Sequence, residues 1–156
     1  MIGTLGAVKF HGVRDTIMAD EFDIKWIKHM SNLKKLMLPM ACKIQNTNLI
    51  ARFKNLEELY AGSGEISDIS FVHNLHLLIV ADFGLNFGLN DIRPLIGLNH
   101  LEQLDISMTA VTDFKPLYGL QNLKHLTIGN LTSDINNSDI AKLRASLPKC
   151  EIEVSE

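Results

Sequence analysis

The chain has only two cysteines, no long apolar run and almost no excess of either charge. Each shortage removes a class of protein. No apolar stretch approaches the roughly 18 residues that a membrane-crossing helix needs. The opening MIGTLGAVKFHGVRDT lacks the basic stretch and apolar run of an export signal, so a soluble cytoplasmic protein is expected. The formal charge of -3, from 15 Lys and Arg against 18 Asp and Glu, gives no broad attraction to nucleic acid or to an anionic membrane. Neither is expected as a partner, and any binding must come from a local patch. Motifs of catalysis are missing too: there is no Walker loop, no GxGxxG after a strand, no HExxH and no GxSxG. The DFG within DFGLNFGLND, from Asp82 to Asp91, stands without the other kinase motifs and reads as a glycine-rich turn.

What is present is 46% hydrophobic residues over 156 positions, enough for one packed domain and too many for a disordered chain. Those residues recur. The clearest unit is LEQLDISMTAVTDFKPLYGLQN, with apolar side chains at Leu101, Leu104, Ile106, Val111, Phe114, Leu117 and Leu120, before Leu123 restarts the pattern. Leu33, Leu36 and Leu38 open an earlier unit. Leu56, Leu59 and Ala61 open the next, which runs on through Ile66, Ile69, Val72 and Leu75. A fourth begins at Leu78 with Ala81 and Phe83, with Leu77 and Val80 as an alternative start, gains a residue near Phe87, and returns to register at Leu89, Ile92, Leu95 and Leu98. Each unit begins LxxLxL, an alternation that sends leucines to one face of a short strand and the intervening residues to the other. One unit cannot enclose its own leucines, so neighbours must stack with their strands in a parallel sheet.

The ends depart from the pattern as terminal coils should. Residues 1–32 read as an N-terminal cap coil, 33–122 as regular repeats and 123–156 as a C-terminal coil and cap, together a complete solenoid of about seven strands. Leu5, Val8 and Phe10 mark a first strand. Asp20 is expected to cap a helix from about Glu21 to Met30, on which Phe22, Trp26, Ile27 and Met30 fall near helical spacing and Trp26 packs the cap. Leu123, Leu126 and Ile128 form a sixth strand. Ser138 is expected to cap a helix carrying Ile140, Leu143 and Leu147, which Pro148 stops. Leu147, Cys150 and Ile152 then place a seventh strand.

The segment from Leu33 to Ile128 resembles bacterial leucine-rich repeats of the internalin type, on the strength of ISDISFVHNL, LNDIRPLIGL and VTDFKPLYGL. SDIAKLRASLPKCEI is similar to the last coil of short bacterial repeat proteins. The resemblance implies an α/β fold, a right-handed leucine-rich-repeat solenoid with a parallel concave sheet of about seven strands and short helices or turns on the convex side; for function it implies protein recognition. One departure stands out. The family's ladder of asparagines at the turn after each strand is represented by Asn86 alone, with Gly64 and Thr109 at the equivalent places, so looser turns are expected there. In this register Cys42 and Cys150 lie about five coils apart, roughly 25 Å at the strand spacing, beyond disulfide reach, and both read as buried thiols in a reducing compartment. His73, His76 and His100 fall near corresponding ends of adjacent coils, but no Cys or carboxylate completes a metal-ligand set, so they are assigned to surface turns. No catalytic residue, metal or cofactor is expected.

The informative residues point away from the leucine core. One column holds Ala7, Lys35, Glu58, Val80, Gln103, His125 and Lys149; its neighbour holds Lys9, Met37, Tyr60, Asp82, Asp105, Thr127 and Glu151. Lys35, Met37, Glu58, Tyr60, Val80, Asp82, Gln103, Asp105 and His125 form the expected partner-binding set on the concave face. Carboxylates beside an exposed Tyr and Met resemble an interface more than a surface built only for solubility. The sequence thus points to a protein-binding module rather than an enzyme, with an inhibitor or immunity protein for a basic toxin or nuclease as its specific form. A scaffold or adhesion-type repeat without a concave ligand is the alternative.

Overall fold

Leucines spaced by about one coil lie side by side because every coil contributes a strand of similar register. The computed structural model describes residues 7–9, 21–130 and 136–155. Seven strands form one parallel sheet in the order β1 (Ala7–Lys9), β3 (Lys35–Met37), β5 (Glu58–Tyr60), β6 (Val80–Asp82), β7 (Gln103–Thr109), β8 (His125–Asn130) and β9 (Glu151–Val154). Leu36 stands opposite Leu59, Leu59 opposite Ala81, Ala81 opposite Leu104, and Leu104 opposite Leu126. All five are buried, as the LxxLxL reading requires. The fourth coil starts at Leu78: Leu78, Ala81 and Phe83 are buried, whereas Leu77 is exposed and Val80 faces outward on its strand.

The four middle coils return along short 3-10 turns, at Thr47–Arg52, Ser70–Asn74, Arg93–Leu95 and Lys115–Leu117. The repeated Asp before the last three of them has a local reason. Asp68, Asp91 and Asp113 each accept the backbone N–H two residues ahead, from Ser70 at 2.7 Å, Arg93 at 2.9 Å and Lys115 at 3.1 Å, a bond that opens a tight turn. Pro94 and Pro116 sit in the first turn of these segments, where a missing N–H is cheapest. Ile69, Val72, Ile92, Leu95, Phe114 and Leu117 are buried against the strand leucines. The result is the leucine-rich-repeat solenoid expected from the sequence, with the sheet on one side and short helical turns on the other.

Both ends differ in detail. Glu21–Asp23 is a strand, β2, pairing parallel with β4 (Lys43–Gln45), and a 3-10 turn at Ile24–Trp26 follows; the expected helix is absent. Phe22 and Ile24 alternate into the core and Asp23 accepts the Lys25 N–H at 2.8 Å, so pairing with the next coil overrides a helical spacing that carries little weight in ten residues. Trp26 is not a buried cap residue: it is 67% exposed and meets the Phe22 ring edge-on, centroids 5.3 Å apart. Leu5, Phe10 and Asp20 lie outside the described residues.

At the other end α1 (Asn137–Ser146) is capped by Asn136, whose side chain accepts the Ser138 N–H at 2.9 Å, rather than by Ser138. Leu147 closes the return, its carbonyl accepting from Cys150 N–H at 3.0 Å as the Leu120 carbonyl accepts from Leu123. The last strand therefore starts two residues later than expected. Ile152 stands opposite Leu126 and Val154 opposite Ile128, so the outward columns end on Glu151 and Glu153 in place of Lys149 and Glu151.

Candidate protein-binding face

The outward columns assemble as the alternation requires for every strand before β9. Lys35, Glu58, Val80, Gln103 and His125 stand in one row, and Met37, Tyr60, Asp82, Asp105 and Thr127 in the next. Ala7 and Lys9 take their places by backbone register. Parallel strands about 4.8 Å apart make these rows nearly continuous.

Chemistry divides the face in two. At the N-terminal side Lys35 and Glu58 form an ion pair, Tyr60 donates its hydroxyl hydrogen to the same carboxylate at 3.0 Å, and the Lys35 ammonium lies 4.7 Å from the centre of the Tyr60 ring. The hydrogen bond from Lys35 holds the Glu58 carboxyl below its ordinary range, while burial raises the Tyr60 phenol. This cluster is satisfied within itself. At the far side His125 Nδ1 lies 3.3 Å from Glu151.

Between them Asp82 and Asp105 are adjacent in register, and neither has an ion-pair partner among the described residues. Each accepts the N–H two residues ahead, Asp82 from Gly84 at 2.9 Å and Asp105 from Ser107 at 2.8 Å. Glycines make room for them. A Cβ on Gly62 would meet Asp82 Oδ1 at 3.0 Å, and one on Gly84 would meet Asp105 Oδ1 at 3.1 Å, so each carboxylate lies against the preceding coil. Burial, reinforced by the Asp105 charge and opposed by the Gly84 bond, pushes the Asp82 carboxyl up from its usual value. Its ionisation therefore opposes folding: the penalty is absent at low pH and grows as pH rises through the raised pKa. Asp82→Asn keeps an acceptor for Gly84 and removes the charge. It should raise the melting temperature at pH 7 by more than at pH 3; an unchanged or lower value at pH 7 would show that the carboxylate carries no such cost.

The asparagine position resolves more fully than the sequence reading. Asn86 is buried and makes four bonds, donating to Ala61 O and Phe83 O, both at 2.8 Å, and accepting from Gly64 N at 3.2 Å and Ile66 N at 2.7 Å. Gly64, expected to leave its turn loose, is held by the asparagine of the next coil. Thr109 donates to Ile106 O at 2.7 Å, and Cys42 points its thiol at Pro39 O at 3.6 Å, the same three-residue reach in each case. Cys42 is thus a ladder residue that the sequence reading missed, hidden by an extra residue at Pro39–Met40. Both thiols are free; Cys42 is buried and Cys150 only half-buried, and burial raises the pKa of each. His73, His76 and His100 are exposed on the return side. No helix among the described residues is long and apolar enough to cross a membrane.

A parallel sheet of one short strand per coil, with helical turns on the return side, is the leucine-rich-repeat fold, and solved bacterial repeat proteins, internalins among them, share it. Among solved structures it is similar to an internalin C2 of Listeria monocytogenes, with 28% identity, a TM-score of 0.69, and 83% of this chain and 57% of that one covered. A leucine-rich-repeat protein of Leptospira interrogans is 25% identical at a TM-score of 0.72, covering 83% of this chain and 33% of that one. An internalin F of Listeria monocytogenes shares the fold at 22% identity and a TM-score of 0.56, covering 81% and 42% respectively. The chain thus spans from a third to somewhat over half the length of these proteins. No family model and no curated protein matches the sequence.

Proposed function

We propose that the chain is a protein-recognition module whose partner docks on the concave face around Asp82, Asp105 and Tyr60. The observation that carries this reading is the carboxylate pair, set side by side on a rigid sheet with no ion-pair partner among the described residues, one member held against its own desolvation. A surface maintained at such a cost is best explained by what it meets. Lys and Arg side chains of a basic protein supply the missing charge, and Tyr60 supplies amphipathic contact area beside it. The specific form of the reading is an inhibitor or immunity protein for a basic toxin or nuclease, whose phosphate-contacting cations the carboxylates would occupy. Two free thiols support action in the reducing cytoplasm. Catalysis, a cofactor, nucleic acid and membrane have no part in it. The rival reading is a scaffold or adhesion-type repeat domain with no concave ligand.

The test is affinity capture from the native organism, followed by binding measurements on the captured protein. Tyr60→Ala should weaken the complex by about 2 kcal/mol. Asp82→Lys with Asp105→Lys should slow association and flatten its salt dependence. Asp139→Lys on α1 should do neither. Concave substitutions without effect would favour the scaffold reading.

A further inference from the structure

The turn that follows β6 holds two large apolar side chains in solvent, Leu85 at 46% and Phe87 at 56% exposed, on either side of the buried Asn86. Four hydrogen bonds fix Asn86, so its neighbours are held outward on a rigid mount rather than on a loose loop. The next coil extends the strip, because Leu85 N–H donates to Ser107 O at 2.9 Å and brings Met108, half-buried, alongside. Leu85 and Met108 both adopt left-handed backbone, with φ of 59° and 53°, a conformation that Asn or Gly fills more easily. No core contact requires large apolar residues there.

The strip borders the carboxylates described above. The space a Gly84 side chain would fill is bounded by Asp105 Oδ1 at 3.1 Å and Ser107 Oγ at 3.2 Å, which sets Asp105 one residue from Leu85. Apolar surface and negative charge without an ion-pair partner among the described residues therefore meet along one edge of the concave face, and that pairing selects the occupant. Acidic groups repel nucleic acid and anionic lipid, and a second copy of this chain, with its own net charge of -3, brings no general charge complement. We propose that Leu85, Phe87 and Met108, with Asp82 and Asp105, dock an exposed segment of the partner protein in which a large apolar residue stands next to Lys or Arg. The apolar side chain covers the strip while the cation reaches over Gly84 to the carboxylates. This deepens the concave-face reading and rests on it.

A random peptide library displayed on phage and selected on the whole chain supplies the probe. Recovered peptides should combine a basic residue with an adjacent Leu, Phe, Met or Trp. One of them, synthesised and titrated by fluorescence anisotropy, should bind at least about tenfold more weakly to Phe87→Ala and to Asp82→Asn with Asp105→Asn, while both variants keep the wild-type circular dichroism. Leu85→Asn, which suits the left-handed backbone, should keep the fold and also lose binding, separating loss of contact from loss of structure. Peptides whose binding survives Phe87→Ala and Leu85→Asn but not the carboxylate changes overturn the strip and leave the concave reading standing. Binding that survives all of them, or no recovered peptide, overturns the strip, and the former removes support from the concave reading as well.

Discussion

Asn86→Ala is expected to destabilise the chain by about 3 to 5 kcal/mol, among the largest effects of any single substitution. The side chain satisfies two N–H groups and two carbonyls, three of the four on the preceding coil, in a place without solvent access. Each buried group left without a partner costs about 1 to 3 kcal/mol, and partial relaxation keeps the total below the sum. Chemical denaturation followed by circular dichroism reads the change, and a loss under about 1 kcal/mol would mean that water or backbone movement replaces these bonds readily.

The second large effect separates two phenylalanines four positions apart. Phe83 is fully buried at the sixth place of its LxxLxL, where the preceding coil carries only Ala61, while its own fourth place carries only Ala81. A large side chain beside two small ones fills volume that nothing else supplies. Phe83→Ala should cost about 3 to 5 kcal/mol. Phe87→Ala, at a position more than half exposed, should cost under about 0.5 kcal/mol. Similar losses at the two sites would show that the coil has been placed in the wrong register.

Much of this was legible before any coordinates because the leucine spacing reports a contact each coil makes with its immediate neighbours. Register from Leu33 to Ile128 follows from it, and so do the rows that hold Glu58, Tyr60, Asp82 and Asp105. The errors arose where a terminal coil leaves the repeat. β2 exists through pairing with β4, some 22 positions away, and no local period reports that. The slip at β9 followed from letting Leu147 open a strand when it ends the helical return. For the candidate site, alternation gave direction but not electrostatic state: that Glu58 is neutralised by Lys35 while Asp82 and Asp105 have no ion-pair partner among the described residues depends on side-chain geometry. Leu85 and Phe87 escaped notice because they lie past the strand, where alternation has ended.

The ladder is uneven, and opening of the solenoid should follow that unevenness. Thr109 and Cys42 tie only their own turns, whereas Asn86 stitches its coil to the one before. In a linear array each coil is supported only by adjacent ones, so unzipping starts at the ends and stops at the tightest junction. Deuterium should therefore enter the amides of the outer coils first and those of Gly64 and Ile66 last, leaving a protected centre beneath the carboxylate pair while both flanks exchange.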